Sequence, residues 1–147
     1  MLLNEYLNQF RKGIQKIENY GYAYSIDIRE EIRANKQAIL NVKVVLINQS
    51  VLHIKEYLDA KYRINRMSYA YQYQDRTGQL IFRYDNAAHR PVLGFNEHKH
   101  SNDGTIHEAA LPDIFDFVDE IISQLVEGLK ITSSMLQALI KSLKPKS

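Results

Sequence analysis

"MSYAYQYQDRTGQLIFRYD", residues 67–85, reads as two strands and the turn between them. Met67, Tyr69, Tyr71 and Tyr73 recur at every second position, so a strand places all four on one face. Ser68, Ala70, Gln72 and Gln74 fall on the other. The turn "DRTG" (75–78) follows, with Gly78 able to take the positive φ that closes a hairpin. Leu80, Phe82 and Tyr84 then alternate against Ile81, Arg83 and Asp85. An antiparallel hairpin is predicted here.

Upstream, "AILNVKVVLIN" (38–48) and "SVLHIKEYL" (50–58) are rich in β-branched residues, and Tyr22, Tyr24, Ile26 and Ile28 alternate with small or polar partners. Strands joined by such short connections pair antiparallel, because parallel pairing needs long crossovers. Before them, Leu2, Leu3, Tyr6, Leu7, Phe10, Ile14 and Ile17 step by three and four, which predicts a helix over 2–19 ended by Gly21. Downstream, periodicity disappears after Asn86 and returns at Pro112, where Pro and Asp suit a first helical turn. Ile114, Phe115, Val118, Ile121, Ile122 and Leu125 form one apolar face, and "SSMLQALIKSL" (133–143) is a second amphipathic segment. The reading is one α+β domain over 1–147: an antiparallel β-meander with N-terminal and C-terminal helices packed on one face. In the alternative, the last helix stands off and packs on a partner.

Composition narrows the function classes. The absence of cysteine excludes disulfides, thiolate metal sites and a cysteine nucleophile. No apolar run approaches the roughly 20 residues that span a bilayer, and "MLLNEYLNQFRKG" turns polar too early for a signal-peptide core. A cytoplasmic protein is expected. Charge is uneven: from Lys61 to His100 seven Lys or Arg face three acids, whereas from Glu108 to Ser147 six acids face four lysines. The middle of the chain therefore suits an anionic ligand such as phosphate.

The chemistry gathers in "RYDNAAHRPVLGFNEHKH" (83–100), which holds three of the five histidines. There is no Walker loop, GxGxxG, GxSxG or CxxC, and "HEAAL" (107–111) lacks the second histidine of a zinc-protease motif. On a strand His98 and His100 would face the same way, and with Asp85, His89, Asp103 or His107 they could ligate Zn²⁺ or another transition metal. Acid–base chemistry uses the mixture more fully, and needs neither metal nor cofactor. Cleaving RNA requires a base for the 2′-hydroxyl, an acid for the leaving 5′-oxygen, and fixed positive charge for the crowded phosphate. His89, His98 and His100 are the candidate acids and bases, and Arg83 and Lys99 could supply the positive charge, Arg83 through a bidentate fork on the phosphate. Asp85, two residues on, would orient a histidine or hold Arg83. Substrate contacts are expected from Tyr69, Tyr71, Tyr84, Asn86, Arg90 and Lys99. The tyrosine row is either a stacking platform for bases or a core face. A non-catalytic module binding nucleic acid or protein is the alternative reading of the same loop.

The stretch "YAYQYQDRTGQLIFRYDNAAH" (69–89), "HKH" nine residues on and a C-terminal amphipathic helix together resemble the TumE-type toxin family. The resemblance spans roughly 22–127 and leaves 130–147 as a helical extension. It implies the toxin of a toxin–antitoxin pair, restrained by a cognate antitoxin that is a small DNA-binding regulator. RNA as target is our inference from the site chemistry, and self-association as a homodimer is compatible with it.

Overall fold

A computed structural model describes residues 1–88 and 95–143. Helix α1 (Leu3–Asn19) leads into β1 (Ala23–Arg33), β2 (Gln37–Leu46), β3 (Val51–Asp59), β4 (Asn65–Gln74), β5 (Leu80–Asp85), β6 (His98–Ser101) and β7 (Ile106–Glu108); α2 (Ile114–Ser142) closes the order. The strands form a seven-stranded antiparallel meander in which sequence order is spatial order. The expected hairpin is present: Tyr71 sits opposite Tyr84, and Gln72 opposite Arg83. Asp75 organises its turn by accepting from the Thr77 and Gln79 amides, while Gly78 takes φ +87°.

Alternation sorts the side chains into two layers. Leu40, Val42, Val44, Leu52, Ile54, Tyr71, Tyr73, Phe82 and Tyr84 are buried on the face that both helices cover. α1 supplies Leu7, Phe10, Ile14 and Ile17, and α2 supplies Phe117, Val118 and Ile121. The Phe117 ring meets Tyr71, Phe82 and Tyr84 edge-on, with centroids 5.0, 6.1 and 6.1 Å away. Such contacts add about 0.5–1.5 kcal/mol each beyond area burial. The helices touch closely at Gly13, where a Cβ would lie 2.7 Å from Ile114 Cγ1.

Two expectations change. The stretch after Asn86 contains a second hairpin, β6–β7, turned by Asp103 and by Gly104 at φ +85°. The two C-terminal amphipathic segments are one helix of 29 residues that runs straight through Gly128. Asp113 caps it by accepting from the Phe115 and Asp116 amides, which satisfies two of its orphan donors. Leu125 is its last buried residue among those described; Met135, Leu136, Leu139 and Ile140 are exposed.

Candidate functional site

β5 and β6 carry the polar cluster. Asp85 pairs with His98 and Arg83 with His100, so the four side chains share the face of the sheet opposite the helices. Asp85 lies at the centre. Its Oδ1 accepts from the Ala87 amide at 3.2 Å and lies 3.1 Å from His98 Nδ1. Its Oδ2 accepts from Arg83 Nε at 2.7 Å and lies 3.2 Å from His100 Nε2. Arg83 is held a second time, through Nη1 to Gln72 Oε1 at 2.8 Å.

Exposure divides the cluster. The Asp85 and His98 side chains are 5% and 2% exposed, those of Arg83 and His100 36% and 21%. A buried carboxylate thus stands behind a reachable guanidinium and a reachable imidazole. Burial raises the Asp85 pKa, but the hydrogen bonds from Arg83 and His98 and the nearby His100 outweigh it, and the net shift is downward. Asp85 is therefore held as an anion. One ligand atom from each of Asp85, His98 and His100 also lies within 4.8 Å of the others, a spread that could hold a metal ion.

Among the described residues, the other expected ones do not join this group. Lys99 points through the sheet to the helix side, where Nζ reaches Glu120 Oε1 at 2.6 Å over the Phe82 and Tyr84 rings. The Tyr84 hydroxyl donates to Glu120 on that same side. Tyr71 is a core residue, not a stacking platform, and its hydroxyl donates to buried Glu56 together with that of Tyr6. Tyr69 is buried too, with its hydroxyl on Glu97 Oε1 at 2.7 Å. Asn86 bonds the β4 backbone through the Tyr69 amide and the Met67 carbonyl, a structural use of both ends of its amide. His89 and Arg90 lie outside the described residues. Sequence reasoning missed Gln72, which lies opposite Arg83 and whose signal was its place on the same polar face of the predicted hairpin. It also missed Glu56, whose signal was a lone acid at an inward position of β3.

The profile described as "Toxin TumE" matches residues 10–129. The chain belongs to the TumE toxin family. The match takes in most of α1, all seven strands and the packed half of α2, and it ends where that helix leaves the core. Membership makes the protein a toxin of a toxin–antitoxin pair and implies an antitoxin partner. No match was found among the curated proteins or the solved structures. No helix among the described residues is long and apolar enough to cross a membrane.

Proposed function

We propose that this TumE-family toxin arrests growth by cleaving RNA, with His100 as one proton-transfer group and Arg83 as the phosphate cation. The observation that carries this reading is the Asp85 carboxylate, buried and ionised behind both groups. In the reaction a base removes the 2′-hydroxyl proton, O2′ bonds to phosphorus, and the P–O5′ bond breaks. The 5′-oxygen leaves with a proton from a second, protonated group. Arg83 offsets the charge that gathers on the phosphoryl oxygens, and Asp85 holds Arg83 and His100 in place as it does so. His98, buried on Asp85 Oδ1, is a positioning residue in this scheme or the second proton carrier once substrate opens its surroundings. His89 is the other candidate for that second role. Arg90 would add a phosphate contact. The antitoxin would be a small DNA-binding regulator, and the site of action the cytoplasm.

A second reading rests on the compact Asp85, His98 and His100 ligand set: a transition metal held by two imidazoles and a carboxylate. One experiment separates them. Purified wild type, Arg83→Ala and His100→Ala proteins are incubated with labelled RNA, with and without EDTA. The acid–base reading requires cleavage that survives EDTA and falls about a hundredfold or more in each variant. Loss in EDTA with recovery in Zn²⁺ or Mn²⁺ transfers the histidines to the metal. Intact RNA in every condition, from a protein that still arrests growth, ends the nuclease reading.

A further inference from the structure

The face of the sheet that the helices leave open carries two ranks of polar side chains running from β1 to the Asp85 cluster. Strand register defines them. One rank is Asp27, Lys43, His53, Gln72, Arg83 and His100, each directly opposite the next. The other is Arg29, Asn41, Lys55, Ala70, Asp85 and His98. Between β1 and β3 the ranks line a concavity of about 240 Å³, bounded by Asp27, Arg29, Asn41, Lys43, His53 and Lys55.

Charge within the ranks is not evenly balanced. Asp27 is answered by Arg29 at 3.3 Å, and Asp85 by Arg83. Lys43 and Lys55, both exposed, make no ion pair among the described residues, and they flank His53. The His53 pKa is lowered, by burial first and then by these two charges, so the field there is positive. An anion placed over the concavity would relieve that repulsion.

We infer that the two ranks form a binding track for single-stranded RNA, with Lys43 and Lys55 holding backbone phosphates upstream or downstream of the scissile one. The inference rests on the nuclease reading for its direction, since the track ends at Arg83 and His100. Its dimensions fit one strand. The ranks are separated by two residues along each strand, about 7 Å, and β2 to β5 spans three strand spacings, about 14 Å. At the ~3.4 Å step of a stacked strand that length covers about four nucleotides. Apart from Ala70 neither rank contains an aliphatic or aromatic side chain from β1 to β5, and a protein-docking surface would place such residues at its centre.

The test uses the full-length chain and a fluorescein-labelled single-stranded RNA oligonucleotide, with His100→Ala in both arms so that the probe stays intact. Anisotropy is titrated with and without Lys43→Glu and Lys55→Glu, across a salt series. The track requires the double substitution to weaken binding tenfold or more. It also requires the slope of log affinity against log salt to shrink by about 1.4, two phosphates' worth on a single strand. Unchanged affinity overturns the track, even if His100→Ala abolishes cleavage by the otherwise native toxin. Binding that depends on both lysines, in a toxin that cleaves no RNA, keeps the track and removes the nuclease reading. A wild-type surface that ignores RNA but loses affinity for purified antitoxin on Lys43→Glu and Lys55→Glu overturns the track in favour of an acidic protein partner.

Discussion

Glu56 and Asp85 are both buried carboxylates of the same sheet, 1% and 3% exposed, and they face opposite sides of it. Glu56 looks into the helix-covered core and is met by neutral donors, the Tyr6 and Tyr71 hydroxyls. Asp85 looks to the open side and is met by a guanidinium and two imidazoles. The consequences are opposite. Burial raises the Glu56 pKa further than its two phenol hydrogen bonds and the Arg66 charge lower it. The phenols are pushed up in turn, by burial first and then by Glu56. At Asp85 the hydrogen bonds from Arg83 and His98 and the nearby His100 win over burial. Burial alone therefore does not fix whether an acid is ionised. The charge of what meets it does.

The largest expected effect separates the two by readout. Glu56→Ala leaves two phenol hydroxyls without an acceptor in the core, at about 1–3 kcal/mol for each. Urea unfolding should show that loss directly. Asp85→Ala should cost less stability, because Arg83 and His100 can turn to water, yet it should abolish growth arrest. A toxin that tolerates Asp85→Ala, or a fold indifferent to Glu56→Ala, breaks the comparison.

The two faces should also differ in tolerance of added volume. Gly13→Ala drives a methyl into Ile114 where the helices cross, and should cost about 1–3 kcal/mol. Arg29→Ala, on the open face, should stay within about 0.5 kcal/mol. Thermal melts of the two variants side by side decide this, and equal losses would mean that the open face is packed against something.

pH reads the same contrast with a sign. The folded value of Glu56 lies above its ordinary 4.5, so its contribution is complete below that pH and is lost as pH rises through the raised value. The folded value of Asp85 lies below its ordinary 3.8, so its contribution is complete above that pH and is lost as pH falls through the lowered value. Glu56→Gln should therefore flatten the decline of stability on the rising side, and Asp85→Asn the decline on the acid side. Melts of both variants from about pH 3 to 8 test it; a common change on the same limb contradicts the assignment.

The strands that bury apolar side chains were legible in the sequence, because apolar alternation is what burial leaves behind. β2, β3, β4 and β5 all show it, and so does the turn chemistry of Asp75 to Gly78. β6 was not legible, and for the same reason. Its inward residue on the open side is His98, and the position packed against the helices is Lys99, whose stem and ammonium lie over two aromatic rings. "HKHS" offers no apolar alternation to read. The pairing of His98 with His100 followed from spacing alone once a strand was granted. The expectation that Lys99 joined them did not respect the same alternation, and neither did the inclusion of Tyr84 beside Arg83 and Asp85. A site drawn from a cluster in sequence mixes the two faces of a strand.

The smallest expected effect tests that separation. Arg83 and Lys99 are cations on neighbouring strands, opposite His100 and Tyr84. Arg83 shares the open face with His100; Lys99 stands over Phe82 and Tyr84 and bonds Glu120 of α2. Its side chain is 23% exposed and that of Glu120 26%. Water and salt screen such a pair, so Lys99→Met should cost only about 0.5–1 kcal/mol, shared between the ion pair and the ring contacts. Methionine keeps most of the stem's packing on the two rings. Growth arrest should survive Lys99→Met at temperatures where the protein stays folded, and should be lost in Arg83→Ala. Adding Glu120→Gln to Lys99→Met should cost little more, because the pair is already broken. Should Lys99→Met abolish toxicity with its melting temperature intact, Lys99 acts through the substrate or a partner. The functional surface would then have to extend around the sheet edge to the helix side.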